Sequence, residues 1–236
     1  FPGGNTALPW WNSHGDAMKR QQSILEGCCR VDIFGLRADA QIDGELTAPL
    51  RPVVPVLKPG SSYLLETVIR TLKPGHHLTQ GTSDSNELWL RLTVSSGDRV
   101  LGQSGHVDQR GDVDKAAHRV NSFVLDKNGN RINRRNAQDI FTPLYNHQIP
   151  PGAGQTVHYE LVLPDDLNAS VKVELALLYR KFDREYVEEF IAGRRKQGDL
   201  SLRGFDPEKS YGNPLPITIL ASDTVEFSVE GVDFSE

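Results

Sequence analysis

Cysteine is almost missing from this chain: Cys28 and Cys29 are the two in 236 residues, and they are adjacent. A bond between them would close a strained ring, because neighbouring Cα atoms lie only about 3.8 Å apart. The pair reads as two free thiols at a strand start, directed to opposite faces. A metal site built on them would need ligands from elsewhere. No apolar run reaches the ~18 residues of a membrane-spanning helix. Basic excess is also lacking. The net charge of -5 excludes a nucleic-acid surface, and Arg134-Arg135 and Arg194-Arg195-Lys196 are short enough to be a solvated face. Phe1 is followed by no basic and apolar leader, so no signal peptide is expected in the sequence as given. A processed chain, or a piece of a longer one, reads this way.

The signatures of catalysis are equally sparse. There is no Gly-x-Ser-x-Gly elbow, no phosphate-cradling glycine loop, and no His-x-x-x-His or His-Glu-x-x-His spacing. Carboxylate pairs for glycoside hydrolysis would have to be brought together by the fold. No assembled constellation is visible, and a non-enzymatic role is the expectation.

What is present is mostly β. Leu88, Leu90, Leu92 and Val94 alternate with Trp89, Arg91 and Thr93, the period-two pattern of a half-buried strand. Val157, Tyr159, Leu161 and Leu163 repeat it, as do Val171, Val173, Leu175, Leu177 and Tyr179. Segments 62–72, 119–125, 217–220 and 224–229 complete the strand set, and Cys29 to Leu36 adds another. Lys58-Pro59-Gly60, Lys73-Pro74-Gly75, Ser96-Gly97-Asp98 and Pro150-Pro151-Gly152 supply turns, and Asp126 to Asn130 with its Asn-Gly reads as a hairpin. Many strands separated by short turns predict a mainly β protein, an immunoglobulin-like β-sandwich. Asp16 to Glu26 predicts a helix, with Ser13 as N-cap and Gly27 as terminator. The breakers of residues 1–14 predict irregular structure. One further helix is expected after Asp183, on the stripe of Tyr186, Val187, Phe190 and Ile191, and residues 193–213 read as a polar loop. The expected division is an N-terminal arm and helix over 1–39, packed on a partner or on the sandwich, and a β-sandwich over 40–236.

The segment Gly75-His76-His77-Leu78-Thr79-Gln80-Gly81-Thr82-Ser83-Asp84 is the nearest thing to a chemical address. It places two histidines in a turn-rich loop between strands, where an imidazole can reach a metal or heme outside its own domain. Asp108, Asp112 and Asp114 share a Gly-containing loop, and oxygen ligands at alternating positions fit calcium. Asp126, Asn128 and Asn130 offer similar spacing, which a hairpin turn explains as well. His14, His106, His118, His147 and His158 are dispersed and read as structural. Trp89, opposite the leucine face, is the expected exposed aromatic.

Several pieces together resemble the heme-free C-terminal β-domain of multiheme c-type cytochromes. Gly75-His76 through Asp84 resembles that family's Gly-His-Lys-Phe-Pro-Thr-Gly loop, with Thr79-Gln80 in place of Pro-Thr and His77 in place of lysine. Phe1-Pro2-Gly3-Gly4-Asn5-Thr6-Ala7-Leu8 resembles the stretch after the last heme-binding region, and Leu88-Trp89-Leu90 the strand after the loop. Ile149-Pro150-Pro151-Gly152 resembles its Ile-Pro-Pro-Gly turn, and Leu177 to Phe182 the strand end that follows. The pieces bracket residues 1–190. The resemblance implies a periplasmic or extracellular setting and electron transfer in the parent protein. It implies a heme-bearing segment or subunit as partner, and His76 as an axial ligand with His77 beside it. Cys-x-x-Cys-His is absent, so any heme c belongs to another segment or chain. The alternative reading is a heme-independent module that binds carbohydrate or protein at the cell surface, with Trp10, Trp11 and Trp89 as its aromatic contacts.

Overall fold

The computed structural model describes residues 4–81, 83–189 and 212–232. Two four-stranded antiparallel sheets form a sandwich. The first is built from β1 (Cys29–Ala38), β2 (Leu46–Thr47), β3 (Ser62–Thr71) and β9 (Gly154–Val162), in the order β2-β1-β3-β9. The second contains β4 (Glu87–Ser96), β5 (Arg99–Ser104), β10 (Val171–Arg180) and β11 (Thr218–Phe227), in the order β11-β10-β4-β5. Alternation explains the arrangement. Leu65 and Ile69 of β3 and Leu88, Leu90, Leu92 and Val94 of β4 enter one buried cluster with Val31, Ile33, Val173, Leu175 and Leu177. The expected mainly β sandwich is what the chain forms.

The boundary expected at residue 39 falls at the end of a sandwich strand. β1, on the arm side of it, lies between β2 and β3, paired from Cys29↔Thr71 to Ala38↔Tyr63. Segments 217–220 and 224–229 are not two strands. Thr218 to Phe227 runs on as one partner of β10, with a register shift at Leu177/Leu178.

The arm is more helical than its breakers suggest. Ala7–Trp11 forms α1 and Gly15–Leu25 forms α2. Pro9 is tolerated because the N–H groups of a first helical turn have no intrahelical acceptor to lose. Ser13 does not cap α2: it takes a positive φ of 57°, and His14 stands at the N-cap. Gly27, at φ 66°, follows the helix end as expected. Trp11 packs on the chain's own domain, stacked on Phe182 with ring centroids 6.1 Å apart. Residues 184–189 are helical, and Asp183 caps them as expected, its Oδ1 accepting from the Tyr186 N–H at 2.8 Å. Phe190, Ile191 and the polar loop up to residue 211 lie outside the described residues.

Cys28 and Cys29 are both buried and free. They do not point to opposite faces, for their Sγ atoms approach to 3.6 Å. Cys28 precedes β1, in the turn that Gly27 opens, so strand alternation does not govern it.

Trp89 also departs from expectation. It is completely buried and donates Nε1–H to the Gly105 carbonyl at 2.8 Å. The physical reason is a second layer on the outer face of β4 and β10. Val113 and Ala117 from the loop after β5 pack there against Trp89, Ala176 and Leu178. The strand pattern marked one buried face, and the loop buries the other.

Between β5 and β9 the chain builds a small third sheet. It joins β6 (Ser122–Leu125), β7 (Arg131–Ile132) and β8 (Thr142–Asn146) in the order β7-β6-β8. The Asp126–Asn130 hairpin closes it. Asp126 Oδ1 accepts from the N–H groups of Asn128 and Asn130, both at 2.8 Å, and Gly129 adopts φ 83°.

Candidate functional site

Two places concentrate chemistry, and they share one strand connection. The first is the loop between β3 and β4. Backbone bonds clamp it: Leu78 N–H donates to the Ile149 carbonyl at 2.9 Å and Ile149 N–H to the Leu78 carbonyl at 2.8 Å. Leu78 and Ile149 are both buried, and the Gln148 side-chain amide donates to the Thr79 carbonyl. The loop is therefore held at its root while His76 and His77 remain exposed. His76 Nδ1 lies 2.8 Å from the His77 carbonyl oxygen. A carbonyl only accepts, so Nδ1 is the donor in this bond, and in the neutral form of the ring Nε2 is then the unprotonated nitrogen. That is the tautomer a metal-binding imidazole needs, with its second nitrogen oriented by a hydrogen bond. The orienting carbonyl is His77's own.

The second place is a cleft of about 1220 Å³ between the sandwich and the small sheet. Four of the histidines that look dispersed in sequence line it: His106, His118, His147 and His158. The edge of the second sheet explains His118. Where β5 turns away, residues 118–120 take its place beside β4. Leu90 N–H donates to the His118 carbonyl at 3.0 Å and Val120 N–H to the Leu88 carbonyl at 2.8 Å. The small sheet supplies the rest. Phe123 faces Tyr145 across the β6–β8 pair, and His147 follows two residues on. The result is a ladder of rings: Phe123–Tyr145 at 5.5 Å, Tyr145–His147 at 4.7 Å and His147–His118 at 5.1 Å between centroids. The spacing Tyr145-x-His147 was the available sequence signal, since residues two apart on a strand share a face.

Hydrogen bonds fix the imidazoles. His147 Nδ1–H donates to the Arg119 carbonyl at 3.2 Å, and His118 Nε2 pairs with Gln155 Oε1 at 3.2 Å. His106 Nε2 meets Thr93 Oγ1 at 3.0 Å. His158 Nε2 lies 3.4 Å from Glu66 Oε1. Asn121 Oδ1 and the Tyr159 hydroxyl are buried in the lining without a partner among the described residues. Beneath the cleft Glu87 is held by Arg180, whose Nε donates to Oε2 at 2.6 Å, with Arg119 3.6 Å from Oε1. Burial pushes the Glu87 carboxyl up, against the pull of the two guanidiniums.

Burial holds the His118 imidazole below its ordinary value of 6.5, and the neighbouring His147 adds to that while Gln155 opposes it. The folded state then binds fewer protons than the unfolded chain near that pH, so stability rises with pH. The His118 contribution is complete above 6.5 and is lost as the pH falls through 6.5 towards the lower folded value. Urea unfolding at about pH 7.5 and 5.5 should show a smaller loss of stability for His118→Phe than for the unaltered protein. Equal losses would remove His118 as the source.

The acidic residues expected to hold calcium share one loop but face different donors. Asp108 Oδ1 accepts from the N–H groups of Arg110 and Asp112, both at 2.8 Å. Asp112 pairs with Arg184 Nε at 2.8 Å, and Asp114 accepts from Ala116 and Gly105 N–H groups at 3.0 and 3.3 Å. Among the described residues no group of three or more His, Cys, Asp or Glu is placed to hold a metal ion. No helix among them is long and apolar enough to cross a membrane.

No known sequence family matches the chain. No curated protein matches it in sequence either. Among solved structures it is similar to a penta-heme cytochrome c552 from Thermochromatium tepidum, at 18% identity and a TM-score of 0.49, over 87% of this chain and 41% of that one. It is also similar to the sporulation control protein Spo0M from Bacillus subtilis, at 11% identity and TM-score 0.30, over 87% and 50%. A third is a Pseudomonas fluorescens alkylpurine DNA glycosylase, at 10% identity and TM-score 0.23, over 68% and 31%. The chain spans half or less of each of these chains, and likenesses at such identities concern the course of the backbone alone.

Proposed function

We propose that the chain is the non-heme β-domain or subunit of a periplasmic or extracellular multiheme cytochrome, and that His76 is an axial ligand to a heme carried by another segment or chain. The observation that carries this reading is the His76 ring, exposed on a clamped loop with Nδ1 donating to a carbonyl, which leaves Nε2 as the nitrogen for a metal. Such a nitrogen fits heme iron presented from outside, which is what a chain without a heme-attachment motif requires. The loop's resemblance to the Gly-His loop of that family supports the same assignment. When bound, the heme supplies one-electron transfer. The chain's own part is to hold the His76 imidazole in one tautomer and orientation, and to wall the heme edge from water.

The test uses the assembly purified from its natural source. His76→Ala should alter the visible spectrum and the potential of one heme, and His77→Ala should leave both in place. A His76→Ala assembly with unchanged spectrum and potential removes the ligand role. The second reading, a heme-independent binding module, is favoured by the cleft with its unpartnered Asn121 and Tyr159 oxygens. It requires a preparation from the natural source without heme bands before or after reduction.

A further inference from the structure

The Cys28–Cys29 pair is joined to the histidine loop by the backbone. The Cys28 carbonyl accepts two hydrogen bonds, from the N–H of Leu72 at 2.9 Å and of Lys73 at 3.1 Å. Those residues begin the run Leu72-Lys73-Pro74-Gly75-His76. The same carbonyl belongs to the peptide unit that links the two cysteines, whose Sγ atoms are 3.6 Å apart and hydrogen bonded. We propose that Cys28 and Cys29 are a peroxide-oxidised modification site, closing to a reversible vicinal disulfide that shifts the start of the 73–81 loop. The coupling stands whether or not His76 meets a heme.

The geometry gives the order of events. Cys28, at 7% exposure against 2% for Cys29, is the more open thiol. Its thiol is also the more acidic, lowered first by the hydrogen bond from Cys29 and further by the Lys73 charge, whereas Cys29 is pushed up by its hydrogen bond with Cys28 and by burial. The Cys28 thiolate attacks one oxygen of hydrogen peroxide. An S–O bond forms, the O–O bond breaks, and the departing hydroxide takes up a proton as water, leaving a sulfenic acid. Cys29 sulfur then attacks Cys28 sulfur. The S–S bond forms, the S–O bond breaks, and hydroxide leaves with the Cys29 proton as a second water. Two thiols are oxidised to one disulfide and one peroxide is reduced to two waters.

Closure must bring the sulfurs from 3.6 Å to about 2.05 Å within a small ring. Side-chain rotation alone cannot do this between adjacent residues, so the linking peptide turns. Its carbonyl then leaves the Leu72 and Lys73 N–H groups. Strain in such a bond also makes it easy to reduce, which suits a reversible modification.

The experiment treats the intact, reduced chain with hydrogen peroxide and follows mass and amide hydrogen exchange. Three results are expected together. The mass falls by two hydrogens, a dithiol reductant restores it, and Leu72 and Lys73 amides exchange roughly tenfold faster in the oxidised form. Cys29→Ser should stop at a Cys28 sulfenic acid that a sulfenic-acid trap captures, and Cys28→Ser should stay reduced at the same dose. Oxygen addition without closure in the unaltered chain, or thiols that react only after denaturation, would overturn the site. Closure with unchanged exchange at Leu72 and Lys73 would overturn its link to the loop.

Discussion

Arg180→Ala will cost about 3–5 kcal/mol of folding stability, read as a fall in the urea midpoint at unchanged slope. The residue is 1% exposed and its partner Glu87 is 5% exposed. Arg180 donates to Glu87 Oε2 and, through Nη2, to the Gly111 carbonyl at 2.6 Å. Truncation leaves a buried carboxylate with only Arg119 nearby and strands a loop carbonyl. The loss comes from the uncompensated charge and not from the intrinsic worth of the pair. Replacing both partners together, as Glu87→Leu with Arg180→Met, should therefore recover most of the stability, because apolar residues of similar size often match a buried ion pair. An Arg180→Ala loss under ~1 kcal/mol, the range of an exposed pair, would show that water reaches Glu87 in solution.

The second large effect is at Trp89. Trp89→Ala should cost about 3–5 kcal/mol by opening a cavity beneath the loop after β5, and Trp89→Phe about 1–3 kcal/mol by leaving the Gly105 carbonyl without its donor. The Arg180 guanidinium lies 5.8 Å from the Trp89 ring centroid, so the two substitutions share a site. The Trp89→Ala, Arg180→Ala double variant should lose less than the sum of the singles. Strict additivity would mean that the ring and the guanidinium act independently.

Trp89 also marks the limit of what the sequence discloses. Alternation located β4, β9 and β10 because one face of each strand is apolar over most of its length, and that pattern is local. Burial of the opposite face depends on Val113 and Ala117, residues of a loop whose destination is set by the whole fold. The helix after Asp183 was legible from a cap and a stripe, whereas α1 was hidden by Pro9, whose cost disappears in a first turn. The candidate site divides in the same way. The His76 loop is one contiguous segment between strong strands and can be read directly. The histidine cleft is assembled from residues 106, 118, 147 and 158, each with an ordinary local setting, and only the closure of the sheets brings them together.

The order in which the strands pair has a consequence for synthesis. β3 waits for β9, through Ser62↔Val162, and β4 waits for β10, through Ser96↔Val171. The cleft loops and the small sheet are made in between. A chain leaving the ribosome at about 5–20 residues per second holds Leu65, Ile69, Leu88 and Leu90 ready for seconds before the strands that cover their edges exist. Pairing at such sequence separation is also slow once the strands are available. The half-made sandwich, with the first sheet lacking β9 and the second lacking β10 and β11, is the state in which this protein is most open to aggregation.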